Sequence, residues 1–242
     1  MARKPRSRAP ARSAKGGANT ESGPQQKSAR AQIIASFMDL LAEKRFEEIG
    51  YAEIAKAAGI SLAELREAFG SKLAILAAHI KEIDRQVLAE HDSEAAAEET
   101  PRERLFDVLM RRIELLDPYK AAVCSLIGSS RRDLALAVAL NRLAVRSQQW
   151  MLTAADVDAS GSRGMMRAQG LALLFASVLR TWVHDDDPGR ARTMAALDRS
   201  LARGQRLSAL VDDLCRIPGC IGRIRRPRRR RPDEGDEETV AA

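Results

Sequence analysis

From Ser28 to about Cys215, apolar residues return every three or four positions, segment after segment. No stretch shows the period-two alternation with β-branched residues that a strand requires. This pattern confines the chain to an all-α fold of packed amphipathic helices. The first segment, Ser28–Arg45, places Ile33, Ile34, Phe37, Leu40 and Leu41 on one stripe. Gly50 separates it from a short helix at 52–58, with Ile54 and Ala55 inward, and Gly59–Ile60 ends that helix. Ser61 with Glu64 forms a capping box that starts a third helix running to about Ala68. After Gly70, Ser71 caps a longer helix carrying Leu73, Leu76, Ile80, Ile83 and Val87. Thr100 and Glu103 give a second capping box with Pro101 at the first helical position, and Asp117–Pro118 breaks the helix it starts. Further helices are predicted near 119–128, 131–157 and 163–183. A last one is predicted from Pro188 to about Cys215, capped by Asp187.

The formal charge of +7 is distributed unevenly. Residues 1–30 carry eight basic side chains and one acid, and 216–242 carry eight arginines and five acids. The stretch 31–215 holds 24 basic and 27 acidic residues, so the helical middle is mildly acidic and the excess sits in two tails. Four units follow: a disordered basic tail at 1–27, a head at 28–77, a helical body at 78–215, and a disordered Arg-rich, then acidic, tail at 216–242.

Several functional classes are disfavoured. No segment approaches the roughly 18 apolar residues of a membrane span. The basic N-terminus has no apolar core, so a secretory signal is not indicated and the expected location is cytoplasmic. Cys124, Cys215 and Cys220 fit free thiols in a reducing compartment. His79, His91 and His184 share no ligand spacing, so neither a metal nor a cofactor is expected. Phosphate-loop, nucleophile-elbow and zinc-protease motifs are absent from the sequence, which points away from an enzyme. Asp185–Asp186–Asp187 before Pro188 reads as a helix start rather than a cation site.

The two short helices joined at Gly59 form a helix-turn-helix pattern. The run Phe46–Ser61, with Ile54-Ala55-x-x-Ala58-Gly59-Ile60-Ser61, and its continuation Leu65-x-x-x-Phe69-Gly70-Ser71-Lys72-x-x-Ile75-Leu76, resembles the DNA-binding head of the TetR family of transcriptional regulators. The resemblance covers about residues 30–77. It implies a three-helix head, a connecting fourth helix, and a ligand-binding bundle whose last two helices form a homodimer interface. The implied partners are double-stranded DNA, a second copy and a small hydrophobic effector. The implied DNA-binding residues are Ser61, Leu62, Ala63, Glu64, Arg66 and Glu67, with Lys72 matching the family's phosphate-contacting lysine. Arg66 is suited to a guanine edge or a phosphate. The recognition segment 61–69 nevertheless has a net charge of −1. The basic N-terminal tail is placed to supply phosphate contacts that this segment lacks.

Candidate lining for an effector pocket is Phe106, Met110, Trp150, Phe175 and Trp182, together with Met165 and Met166, all of which also suit core or interface roles. A second, patchier resemblance lies in the C-terminal half. Arg111-Arg112-x-x-x-Leu116-x-Pro118-Tyr119 and Val178-x-x-x-Trp182-x-x-Asp185-Asp186-Asp187-Pro188, with Thr193 and Leu197-Asp198, resemble the TetR-fold accessory proteins of ubiquinone biosynthesis. That resemblance implies an alternative: a non-enzymatic lipid- or isoprenoid-binding protein.

Overall fold

The computed structural model describes residues 24–90 and 99–216, with side chains from 28–90 and 99–205. The two predicted tails lie almost wholly outside this range. Nine α-helices occur among the described residues, and no strand. They are α1 (Pro24–Glu43), α2 (Tyr51–Ala57), α3 (Leu62–Ala68), α4 (Lys72–Glu90), α5 (Pro101–Leu116), α6 (Lys120–Ser130), α7 (Leu134–Ala154), α8 (Gly161–Trp182) and α9 (Ala191–Arg216). A single 3₁₀ turn, Asp117–Tyr119, joins α5 to α6 where Pro118 interrupts the helical hydrogen bonding.

The cap chemistry written in the sequence is realised. Ser61 and Glu64 exchange side-chain and backbone hydrogen bonds at the start of α3, and Thr100 and Glu103 do the same at α5. Ser71 Oγ accepts from the Ala74 amide at 3.1 Å. The start of α9 differs from expectation. The chain makes one more turn through Pro188, and Arg190 adopts a positive φ of 51° before the helix begins at Ala191. Asp187 serves this turn, accepting from the amides of Gly189 and Ala191. Asp185, eight residues upstream of Thr193, holds the first turn of α9 as well. It accepts from the Thr193 amide at 2.8 Å and the Thr193 hydroxyl at 2.6 Å. Both groups are buried, and the hydroxyl bond above all holds the Asp185 carboxyl below its ordinary pKa.

Two apolar cores are present. In the head, Ile33, Phe37 and Leu41 of α1 meet Ile54 of α2, Leu65 of α3 and Ile75 and Leu76 of α4. Ala122 and Leu126 of α6 complete that core, so the head is closed by a helix from the body's part of the sequence. The body core joins Ile83 and Val87 of α4 to α5, α7, α8 and α9 through residues such as Leu109, Met151, Phe175, Trp182 and Leu197. Helix α4 therefore belongs to both cores: its first half anchors the head and its second half anchors the body. Tyr119 packs against both.

A buried polar knot fixes α4 to the body. Arg112 of α5 pairs with Asp84 of α4 at 2.6 Å and donates to Ser147 of α7, whose hydroxyl donates to Asp84 at 2.8 Å. All three are buried, and the Arg112 guanidinium also lies 5.5 Å from the Phe175 ring centroid. Nearby, His79 stands edge-on to Tyr119 with ring centroids 4.4 Å apart, and its Nε2 has no hydrogen-bond partner. Burial, reinforced by Arg112 and opposed by Glu82, pushes His79 down to about 4.

A depressed imidazole has a definite consequence in acid. The unfolded chain takes up a proton below about pH 6.5 while the native state refuses it until about 4, so stability present above 6.5 is lost as the pH falls. Between pH 7 and pH 5 this group is expected to remove about 2 kcal/mol. Urea titrations at both pH values check it: His79→Phe, which keeps the ring packing, should lose about 2 kcal/mol less than the wild-type protein over that interval. Equal losses would show that His79 does not carry the effect.

Candidate nucleic-acid interface

Helix α2 is closed by Ala58 at its C-cap, and Gly59 takes a φ of 65°, which a residue with a Cβ adopts only at a cost. That left-handed step turns the chain into Ser61, the N-cap of α3. Helix α3 is held by one deeply buried side chain, Leu65, with Phe69 closing its end. At about 100° per residue, Ala63 and Glu67 stand opposite Leu65, flanked by Arg66 on one side and Glu64 on the other. Leu62, Ala63, Glu64, Arg66 and Glu67 are all exposed, Leu62 at 55% despite being apolar. The outer face of α3 is thus presented to solvent with its body buttressed from behind, as a groove-reading helix requires.

The polar groups of this face are not equally available. Glu64 is committed to its cap: Oε2 accepts from the Ser61 amide at 2.8 Å and the Ser61 hydroxyl at 2.7 Å. These bonds hold its carboxyl below the ordinary range. Arg66 Nη1 folds back onto the Gly70 carbonyl at 3.0 Å. Glu67 has no such tie among the described residues and stands near the centre of the face. Lys72, matched in sequence to a phosphate-contacting lysine, has a different local role. Its ammonium donates to the carbonyls of Phe46 at 2.7 Å and Ile49 at 2.8 Å and lies 4.5 Å from the Phe46 ring centroid. Partial burial lowers its pKa. Two of its three donors therefore hold the loop that aims α2.

Other supports of the head have little sequence signature. Arg30, which in the sequence merely adds to the basic N-terminus, donates to the Ala68 carbonyl and stacks over Phe69 at 4.1 Å, tying α1 to the end of α3. Ser125 and Ser129 of α6 bond the backbone of Lys44 and Phe46. Lys44 pairs with Glu53 and Arg45 with Glu48, so two of the head's cations are already opposed by acids.

The expected pocket residues do not gather around one opening. Phe175 and Trp182 are core, and the Trp182 indole donates to Asp117 at 3.2 Å. Phe106 and Met110 pack against the same core from a half-buried position, while Trp150 is 60% exposed on α7. Met165 and Met166 are exposed on α8. A cleft of about 580 Å³ lies between the start of α5, the end of α7, and α8 and α9, and of these residues only Met166 lines it, while Phe106 lines a separate, more polar opening between α5 and α9.

The residues of the second resemblance have local structural roles. Asp117 joins Trp182 to Arg190, Asp185 caps α9, and Lys120 donates to the Asp185 carbonyl at 2.7 Å. Arg112 belongs to the buried knot, and Asp198 pairs with Arg102. The Trp182 and Asp185 part of this pattern lies at the break between α8 and α9. None of the described helices is long and apolar enough to cross a membrane, and no cluster of metal-ligating side chains occurs among the described residues.

No protein-family model matches the sequence, and a search of curated proteins finds no match. Solved structures do match. A TetR transcriptional regulator from Nitrosomonas europaea is 20% identical with a TM-score of 0.58, over 74% of this chain and 99% of that one. A TetR regulator from a Rhodococcus species is 20% identical with a TM-score of 0.52, over 74% and 97%. A TetR-family regulator from Streptomyces coelicolor is 18% identical with a TM-score of 0.50, over 78% and 83%. These likenesses lend no support to the lipid-accessory alternative. The nine helices, the helix-turn-helix at α2–α3 and the bridging α4 make this the fold of the TetR-family transcriptional regulators.

Proposed function

We propose that the protein is a DNA-binding transcriptional regulator that acts as a homodimer and responds to a small ligand. The observation that carries this reading is the outer face of α3, solvent-exposed along Leu62, Ala63, Glu64, Arg66 and Glu67 while Leu65 roots it from behind. A solitary structural helix has no reason to display Leu62 in this way, whereas a major groove offers thymine methyls to Leu62 and Ala63. Arg66 can leave the Gly70 carbonyl for a guanine edge or a phosphate. Glu67 accepts from the exposed amino group of a cytosine, the base-edge donor that suits a carboxylate. Ser61 and Glu64 set the start and angle of the helix, and Lys72 positions the loop before α2.

The acidic head gains little from phosphate neutralisation, which supplies most non-specific affinity. The Lys/Arg residues of 1–27 therefore make the phosphate contacts, with α3 supplying the selectivity. The dimer forms through α8 and α9, where Met165 and Leu173 are exposed on a body helix. A ligand in the body acts through α4, since that helix belongs to both cores and a displacement of its second half tilts the head. The test is retention of genomic fragments by the purified full-length protein at near-physiological salt. A discrete set of fragments that outcompetes random DNA is expected. Retention no better than random DNA would sink the reading.

A further inference from the structure

The cleft at the far end of the body combines an apolar floor with a basic rim. Its floor is apolar, made by Leu105, Leu152, Val157, Leu171 and Leu174. Among the described residues its charged lining is of one sign: Arg102, Arg163, Arg167 and Arg203 line it, and no described Asp or Glu does. Arg102 is paired with Asp198 at 2.6 Å, and Arg167 bonds the Asp158 carbonyl at 3.1 Å. Arg163 and Arg203, from α8 and α9, are exposed and have no ion pair among the described residues. A volume of about 580 Å³ falls in the range of small-molecule sites.

Two helix-interior glycines keep the cleft open. A Cβ at Gly170 of α8 would meet nothing within 4 Å, and one at Gly204 of α9 would meet only Leu174 at 3.6 Å. Neither glycine is required by packing, and each costs its helix about 1 kcal/mol relative to alanine. What they leave is space beside the arginines.

We propose that this cleft binds a soluble anionic amphiphile, a single apolar chain ending in a carboxylate. The chain lies on the leucine floor, and the carboxylate is held in bidentate fashion by Arg163 and Arg203. The dimer proposed above uses the Met165 and Leu173 face of α8, and the arginine lining of the cleft suits an anion better than the apolar surface of a second copy. This deepens the ligand-response part of the reading above and is independent of DNA binding.

The test uses full-length protein without DNA and two probes below micelle-forming concentration: dodecanoate and the neutral dodecanol. Native mass spectrometry and titration calorimetry should show one saturable dodecanoate per chain, with dodecanol at least about tenfold weaker, since a charge-assisted pair is worth that factor or more. Arg163→Ala with Arg203→Ala should bring dodecanoate down to the level of dodecanol. Gly170→Leu should abolish binding of both probes without lowering the melting temperature of the ligand-free protein, because its side chain enters open space in a helix. Equal binding of the two probes, or dodecanoate affinity unchanged in either variant, would overturn the proposal. So would a change of oligomeric state in Gly170→Leu, which would assign the cleft to a second copy. Failure here leaves the DNA-binding test untouched, and failure there leaves this result standing.

Discussion

Gly164→Ala is expected to destabilise the protein by about 3 kcal/mol or more, the cost of forcing a methyl group against rigid backbone. Gly164 lies in the first turn of α8, buried, where the chain has just returned from α7. A Cβ there would fall 2.0 Å from the carbonyl carbon of Ala159, 2.2 Å from its oxygen and 2.7 Å from its Cα. None of these atoms is the end of a flexible side chain. The turn is also pinned: Asp158 Oδ1 accepts from the Ser160 amide at 2.9 Å, and the Asp158 carbonyl accepts from Arg167 at 3.1 Å. Relief requires shifting the 157–160 loop against the start of α8, which disturbs Val157 and Ala159 where they pack on the body core. For a chain of this size such a loss lowers the melting temperature by roughly 10 °C. Gly128→Ala in α6 is the control: its Cβ would meet nothing within 4 Å, and no loss is expected. Calorimetry of the two variants decides the matter; similar melting temperatures would refute the close-approach argument.

The second large effect concerns the knot between Asp84, Arg112 and Ser147. Breaking a buried ion pair from one side leaves a charge without its partner in a medium that solvates it poorly. Asp84→Ala and Arg112→Met are each expected to cost about 3–5 kcal/mol. Burial pulls the Arg112 pKa down even with Asp84 beside it, which indicates how poorly the site would tolerate the cation alone. Removing both charges, as Asp84→Leu with Arg112→Met, is expected to recover most of the loss, because two apolar side chains suit the Phe175 and Val87 surroundings. Denaturant titrations of the single and double variants form a thermodynamic cycle. A double variant that loses the sum of the two single losses would show that the groups act independently.

Much of the architecture is visible in the amino-acid sequence, because helices are local. The apolar spacing along 28–45 and 71–87, and the Ser61–Glu64 and Thr100–Glu103 boxes, are decided within a few residues, and the structure follows them. The start of α9 departs for an equally physical reason. Asp187–Pro188 is a good local start, but the positive φ of Arg190 breaks the helical path there, and the helix begins at Ala191 with Asp185 bonded to Thr193. The candidate site divides the same way. Exposure of the α3 face follows from its period around Leu65. The roles of Lys72 and Arg30 depend on where Phe46, Ile49 and Ala68 fall in three dimensions, and no spacing announces them. The pocket assignment to Phe175 and Trp182 rested on size and aromaticity, properties shared by core residues. The cleft near Arg163 and Arg203 joins helices far apart in sequence, and its most useful marker, Gly170, reads simply as a weak helix former.

The central claim is that α3 of the head reads DNA although the head is acidic and the excess basic charge lies in the tails. Ala63 decides this most directly. It is exposed, opposite Leu65, and in a helix that accepts glutamate readily, so Ala63→Glu should leave the melting temperature unchanged. The measurement is the affinity of full-length Ala63→Glu for a genomic fragment retained by the wild-type protein, at near-physiological salt. A carboxylate pushed into the groove at that position is expected to reduce affinity at least about tenfold. Wild-type affinity in Ala63→Glu, with binding abolished instead by removal of residues 1–27, would place DNA binding in the basic tail and contradict the account.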